Sequence, residues 1–112
     1  MDRDRLGEVL RIVANGLRPF VEAEMRRVHG EGWEKVARSG LPPHMASTGT
    51  DLSFFLAVIN AFWSSVFRSK LSFVDRSYTT ELRDFRNRWA HQEQIPPADI
   101  DRAIDTARRL LR

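Results

Sequence analysis

The sequence contains no cysteine, which excludes disulfide bonds, thiolate zinc sites and a thiol nucleophile. It also lacks a glycine-rich loop followed by Lys-Ser or Lys-Thr, so we expect no nucleotide hydrolysis by this domain. The acidic residues do not combine with a histidine at the spacing of metal ligands. The sequence therefore predicts neither a bound metal nor a cofactor.

Long hydrophobic runs are also missing from the chain. The most apolar run, residues 52–63, has roughly 12 residues, well short of the ~20 that span a bilayer. The first five residues lack the basic-then-apolar order of a secretion signal. We therefore expect a cytoplasmic protein without a membrane partner, and a reducing compartment is compatible with the lack of cysteine.

Lysine is scarce, whereas arginine is abundant. Lys35 and Lys70 are the only lysines among 18 basic residues, which outnumber 15 acidic residues and give a net charge of +3. An arginine-rich excess of this kind permits an anionic partner such as RNA. The codon usage of a GC-rich genome would explain the same ratio equally well, so charge alone does not identify a partner.

Apolar residues recur at helical spacing, and no strand-like alternation extends beyond four residues. The length suits one domain with one core. The sequence thus predicts an all-α fold, a bundle of four to five helices in a single domain over residues 1–112. We interpret this domain as the N-terminal part of a longer protein. The predicted bundle helices are 4–14, 19–28, 52–66, 76–92 and 97–111, and a short helix at 33–38 is expected inside the loop-like region 30–50.

Three local signals set the expected boundaries. Asn15-Gly16 is typical of a helix C-cap, and Pro19 disfavours helical geometry before it. The alternative is one kinked helix, because Leu17 continues the first apolar stripe. The segment 52–66 is apolar on nearly all sides, which predicts a central position or burial against a partner subunit.

Polar residues and prolines mark the ends of the later helices. Thr50 or Asp51 is expected to cap the 52–66 helix, and Pro97 suits a first helical position. The glycine- and proline-rich region 30–50 is expected to cover one end of the bundle. His44, inside this region, and His29, directly before it, are expected to be loop histidines.

The predicted helix 76–92 has two contrasting faces. Its apolar stripe, expected in the core, contains Tyr78, Leu82, Phe85 and Trp89. The opposite face contains Arg83, Asn87, Ala90 and His91, with Arg86 at its border. Arginine clamps phosphate through a planar fork, and histidine moves protons near neutral pH. Asn87 and His91 are one turn apart and can touch, so this face suits a phosphodiester.

The stretch Glu-Leu-Arg-Asp-Phe-Arg-Asn-Arg-Trp-Ala-His-Gln at 81–92 resembles the HEPN superfamily, whose signature is Arg, four to six residues, then His. It is most similar to the subgroup shared by the yeast endonuclease of nuclear RNA surveillance and the N-termini of large bacterial ATPases linked to phage defence. Residues 17–22 and 102–107 resemble that subgroup too. The resemblance covers most of the chain and implies the helical bundle already expected.

The resemblance implies a metal-independent endoribonuclease that cuts RNA at a site shared by two copies in a homodimer, in antiviral defence or a stress response. By resemblance, Arg86 would bind and polarise the scissile phosphate, His91 would transfer protons, and Asn87 would orient the imidazole or hydrogen-bond a phosphate oxygen. Arg83 and Arg88 would hold flanking phosphates, although the family gives them no fixed role. An ATPase domain or another domain is expected to follow this one as a partner.

RNA chemistry supports the same expectation independently. RNA carries its own nucleophile, the 2′-hydroxyl, and one histidine cannot be base and acid in the same step. A symmetric dimer supplies two. Two alternatives remain open: a non-catalytic module that dimerises or docks in a larger ATPase or nuclease, and a purely RNA-binding module. In these, His91 would be an ordinary helix-end histidine and Asn87 a polar surface residue.

Overall fold

The computed structural model describes residues 2–42, 52–91 and 94–111. These ranges contain five α-helices and no strand, which confirms the predicted all-α bundle. The helices are α1 (Asp2–His29), α2 (Trp33–Ser39), α3 (Leu52–Ala61), α4 (Phe73–Ala90) and α5 (Pro97–Leu110). A 3₁₀ turn, Gly30–Gly32, joins α1 to α2, and a π-helical turn, Trp63–Phe67, extends α3.

One continuous helix of 28 residues replaces the two that the sequence predicted before residue 30. The prediction of a break at Asn15-Gly16 is therefore wrong, and the alternative of a single helix is correct. The buried stripe passes the proline without interruption, because Val13, Leu17 and Val21 all lie in the core. Pro19 itself is exposed, so water can bind the carbonyl that loses its amide partner.

Helix α3 occupies the centre of the bundle, between α1 and α4. All eight residues from Leu52 to Ile59 are buried, which confirms the central position expected from its all-round apolar pattern. Trp33 and Trp63 are buried and pack in the core. The predicted caps Thr50 and Asp51, and His44, lie outside the described residues.

Helix α4 begins at Phe73, three residues before the predicted start. Ser72 and Asp75 form a capping box: Ser72 Oγ accepts from the Asp75 amide at 3.1 Å, and Asp75 Oδ2 accepts from the Ser72 amide at 3.0 Å. This reciprocal pair satisfies two amides of the first turn. The last helical residue is Ala90, and the predicted end at Gln92 lies outside the described residues.

Helix α5 begins with Pro97 at its first position, as predicted. It packs against α4 and α1 through a face that includes Ile100, Ala103 and Ala107. Leu110 is buried at the end of this helix, whereas Leu111 is 37% exposed beyond it. The helices α4 and α5 form an antiparallel pair, since Glu81 contacts Arg102 and Arg88 contacts Asp99. Residues 86–91, Arg-Asn-Arg-Trp-Ala-His, which we call the motif, lie where α4 ends.

Candidate functional site

The candidate site is the last turn and a half of α4. The predicted apolar stripe packs this helix against the core. Leu82 and Phe85 are buried, which confirms them as core residues, while Tyr78 and Trp89 pack against the core partly buried. This burial fixes the rotation of α4. The residues on its far side, including Asn87 and His91, are therefore presented to solvent.

Trp89 fixes the end of α4 against α1. Its indole lies on Gly7: a Cβ atom built on Gly7 would be 3.0 Å from Trp89 Cζ2 and 3.2 Å from Cε2. Glycine is unfavourable inside a helix, so its place in α1 is explained by this close approach. The contact sets where the backbone of the motif lies, because Trp89 is its fourth residue.

Arg88 joins the motif to α5. Its guanidinium is 3.1 Å from Asp99 Oδ2 and 3.8 Å from Asp84 Oδ2, and it lies over the Phe85 ring at 5.6 Å. Two carboxylates thus compete with any phosphate for Arg88. The binding of a flanking phosphate by Arg88 stays a prediction. These contacts show that Arg88 links α4 to α5.

A second brace lies two turns earlier on α4. Glu81 Oε1 accepts from Arg102 Nε at 2.6 Å and from Thr106 Oγ1 at 3.0 Å, and Glu81 Oε2 accepts from Arg102 Nη2 at 3.2 Å. The Glu81 carboxylate raises the pKa of Arg102, chiefly through this hydrogen bond. The residues 102–107 that resemble the family therefore serve to hold α5 on the motif helix.

His91 is the C-cap of α4, where the chain leaves the helix. Its amide donates to the Asn87 carbonyl at 3.0 Å, so these two residues are held one turn apart, as the sequence predicted. Both side chains are exposed. An imidazole and an amide are thus presented together at the helix end, where each is accessible to an external phosphodiester.

The two remaining predicted arginines flank this pair. Arg86 and Arg83 are both half-buried. Arg83 precedes Asn87 by one turn, and Arg86 precedes it by one residue. The local geometry brings Arg83, Asn87 and His91 to one face, with Arg86 at the border.

Of the other two histidines, His44 lies outside the described residues. His29 is the last residue of α1, which corrects its assignment to a loop, and its ring makes an edge contact with Phe62 at 5.8 Å. Within the described ranges, no three His, Asp or Glu side chains are grouped as metal ligands would be. None of the helices in those ranges is long and apolar enough to cross a membrane.

The family model described as Swt1-like HEPN matches residues 8–112. The chain belongs to the Swt1-like HEPN family. The match includes every residue of the candidate site, and the helical bundle agrees with it. Comparison with curated proteins and with solved structures gave no match. Membership of the HEPN family supports a ribonuclease or another RNA-related module.

Sequence reasoning missed the residues that brace the site. An isolated glycine inside a helical pattern is a signal of close packing, and it would have singled out Gly7. Asp99 and Glu81 gave no comparable signal, since their partners are on a different helix. Three contacts between helices therefore position a motif that one helix carries.

Proposed function

We propose that this HEPN domain is a metal-independent endoribonuclease whose active site is completed by a second copy of the chain. The observation that carries the proposal is the pairing of exposed His91 and Asn87 at the end of α4, beside half-buried Arg86. A role in antiviral defence or a stress response, and service to a following ATPase domain, are proposed from the family resemblance.

The proposed reaction is transesterification within the RNA strand. The 2′-oxygen attacks the adjacent phosphorus while a neutral His91 removes the 2′-hydroxyl proton. The bond from phosphorus to the 5′-oxygen breaks, and a protonated His91 from the second copy gives that oxygen its proton. The products are a 2′,3′-cyclic phosphate and a 5′-hydroxyl. All atoms and protons are supplied by RNA and the two imidazoles.

Arg86 has the electrostatic role in this scheme. The pentacoordinate phosphorane carries more negative charge than the ground-state diester, and a preorganised guanidinium stabilises that charge where it develops. Because Arg86 is half-buried, its side chain has less rotamer freedom to lose on binding RNA than a fully exposed arginine would. Asn87, one turn from His91, orients the imidazole or donates to a phosphate oxygen.

The requirement for two copies follows from the count of suitable imidazoles. Of the three histidines, His29 packs on Phe62 and His91 alone belongs to the motif. A two-fold axis near the end of α4 would bring two His91 rings to one strand. Each copy would then supply one proton-transfer group.

The test uses purified protein and labelled single-stranded RNA in EDTA. Wild-type protein is expected to cut the RNA and leave 2′,3′-cyclic phosphate ends, and His91→Ala is expected to lower the rate by about 10²–10⁴-fold. Arg86→Ala should do the same, with exposed Arg108→Ala on α5 as the matched control. Circular dichroism verifies that each variant is folded.

Three other results would contradict the proposal. RNA binding without cleavage would indicate an RNA-binding module that uses the same arginines. A stable dimer that neither binds nor cuts RNA would indicate a docking module of a larger ATPase or nuclease. Cleavage that survives in His91→Ala would contradict the assigned role of the imidazole.

A further inference from the structure

A line of side chains on α4 leads from His91 back to the start of the helix. Positions 73, 76, 80, 83, 87 and 91 follow the helical repeat and lie within about 80° of one another. We name the six residues at these positions the α4 strip. Its members are Phe73, Arg76, Thr80, Arg83, Asn87 and His91. Four of them are exposed and the two arginines are half-buried.

Phe73, at the far end of this strip, is unusually accessible. Its side chain is 72% exposed, although aromatic rings of this size normally contribute to the core. Trp63 supports it from the inside, with ring centroids 6.2 Å apart and planes at 37°. The ring is therefore held in place on one side and open to a planar ligand on the other.

Three basic residues lie within five positions of Phe73 in the chain. Arg68 and Lys70 are exposed just before α4. Arg76 lies over the Trp63 ring at 5.2 Å and donates to Asn60 Oδ1 at 3.1 Å. Because Asn60 is neutral, that hydrogen bond leaves the charge of Arg76 in place.

The acidic residues close to the strip are engaged within the protein. Asp75 accepts from the Ser72 amide in the capping box, and Asp84 is 3.8 Å from Arg88. The amide of Ser72 leaves the charge of Asp75 in place, but Arg68, Lys70 and Arg76 outnumber it, so the surface near Phe73 combines net positive charge with an exposed ring. Single-stranded nucleic acid is recognised by this combination, since cations follow its phosphates and aromatic rings stack on its bases.

We propose that the α4 strip is a track for single-stranded RNA, with Phe73 as a platform on which one base stacks. The inference rests on the proposed function, because it takes the strand at His91 as its fixed point. Positions 73 and 91 are separated by roughly 27 Å along the helix. A strand of at most about eight stacked nucleotides covers that span.

The experiment measures binding rather than cleavage, so that failure of the two proposals can be told apart. Folded His91→Ala protein is titrated into a labelled single-stranded RNA of roughly twelve nucleotides, long enough to reach both ends of the strip. Adding Phe73→Ala is expected to raise the Kd about five- to hundredfold, as the loss of one base stack does. Phe73→Trp is expected to retain affinity.

Val74→Ala is the matched control, because Val74 is also exposed, at 56%, but lies off the strip. An RNA of the same length without bases gives the second control: Phe73→Ala should not change its Kd. Lys70→Ala should weaken the binding of both RNAs. It should also reduce the slope of log affinity against log salt concentration by about one, the value of one phosphate contact.

Two results would contradict the proposal that the α4 strip binds RNA. Equal affinity of wild-type and Phe73→Ala proteins for the RNA with bases would exclude stacking at this ring. Dissociation of a dimer by Phe73→Ala, measured by light scattering without RNA, would show that a second copy of the chain covers Phe73. If the stacking effect is present but wild-type protein cuts no RNA, the track stands and the proposed nuclease activity does not.

Discussion

The indole of Trp89 lies directly on Gly7, so the motif helix touches α1 where α1 has no side chain. A Cβ atom on Gly7 would be 3.0–3.3 Å from three atoms of the indole. Trp89 is flanked by Arg88 and Ala90 in the motif. The contact therefore links a packing requirement in α1 to the position of the candidate site on α4.

Enlarging Gly7 is expected to displace Trp89. Gly7→Leu should lower the free energy of unfolding by about 1–3 kcal/mol, as overpacking does, and should also slow RNA cleavage because the last turn of α4 moves. Urea denaturation measures the first effect. Gly32→Ala is the matched control, since no atom lies within 4 Å of a Cβ there. A Gly7→Leu protein as stable as wild type would contradict the contact.

Pro19 interrupts the hydrogen bonding of α1 without ending the helix. Pro19→Ala is expected to raise the free energy of unfolding by roughly 1–3 kcal/mol, because it restores one amide and removes a steric clash. Ala23→Gly, at an exposed position of the same helix, should instead lower it by about 1 kcal/mol. Thermal unfolding of both variants measures the signs. A loss of stability in Pro19→Ala would indicate that the bundle requires a bend at this point.

The Arg88 and Asp99 pair should behave as a brace. A double-mutant cycle with Arg88→Ala and Asp99→Ala is expected to give a coupling free energy of roughly 0.5–1 kcal/mol, since the pair is partly exposed. Both single variants should slow cleavage to a similar extent. A much larger effect of Arg88→Ala on RNA affinity than of Asp99→Ala would restore the predicted phosphate contact of Arg88.

Glu81 is expected to stabilise the pairing of α4 with α5. Thr106→Val keeps the shape of a buried side chain but removes its hydrogen bond to Glu81. We expect a loss of about 0.5–1.5 kcal/mol in the free energy of unfolding. Thr80→Val serves as the control, because Thr80 is exposed and bonds only within its own helix. Equal effects of the two substitutions would argue against the brace.

The sequence predicts correctly the features that depend on residues close together in the chain, within a single helix. The burial of Leu82 and Phe85 and the solvent side of Asn87 and His91 follow from a 3.6-residue repeat. The start at Pro97 follows from the missing amide of proline. In each case the physical cause lies within a few residues of its effect.

The features that it missed depend on contacts between distant segments or on competing local signals. The helix α1 continues through Pro19 because burial of residues on both sides outweighs one lost hydrogen bond. The approach of Trp89 to Gly7 needs two helices in their final positions. Ser72 and Asp75 did form a local signal, but with aspartate in place of the usual glutamate or glutamine of a capping box.

In the proposed mechanism, two copies of His91 act on one RNA strand. Wild-type and His91→Ala proteins are mixed at a fixed total concentration, allowed to exchange subunits, and assayed for RNA cleavage in EDTA. If both imidazoles are required, mixed dimers are inactive and an equal mixture keeps about a quarter of the wild-type rate. A rate of about half, falling in direct proportion to the wild-type fraction, would show that each copy works alone and would contradict the shared site.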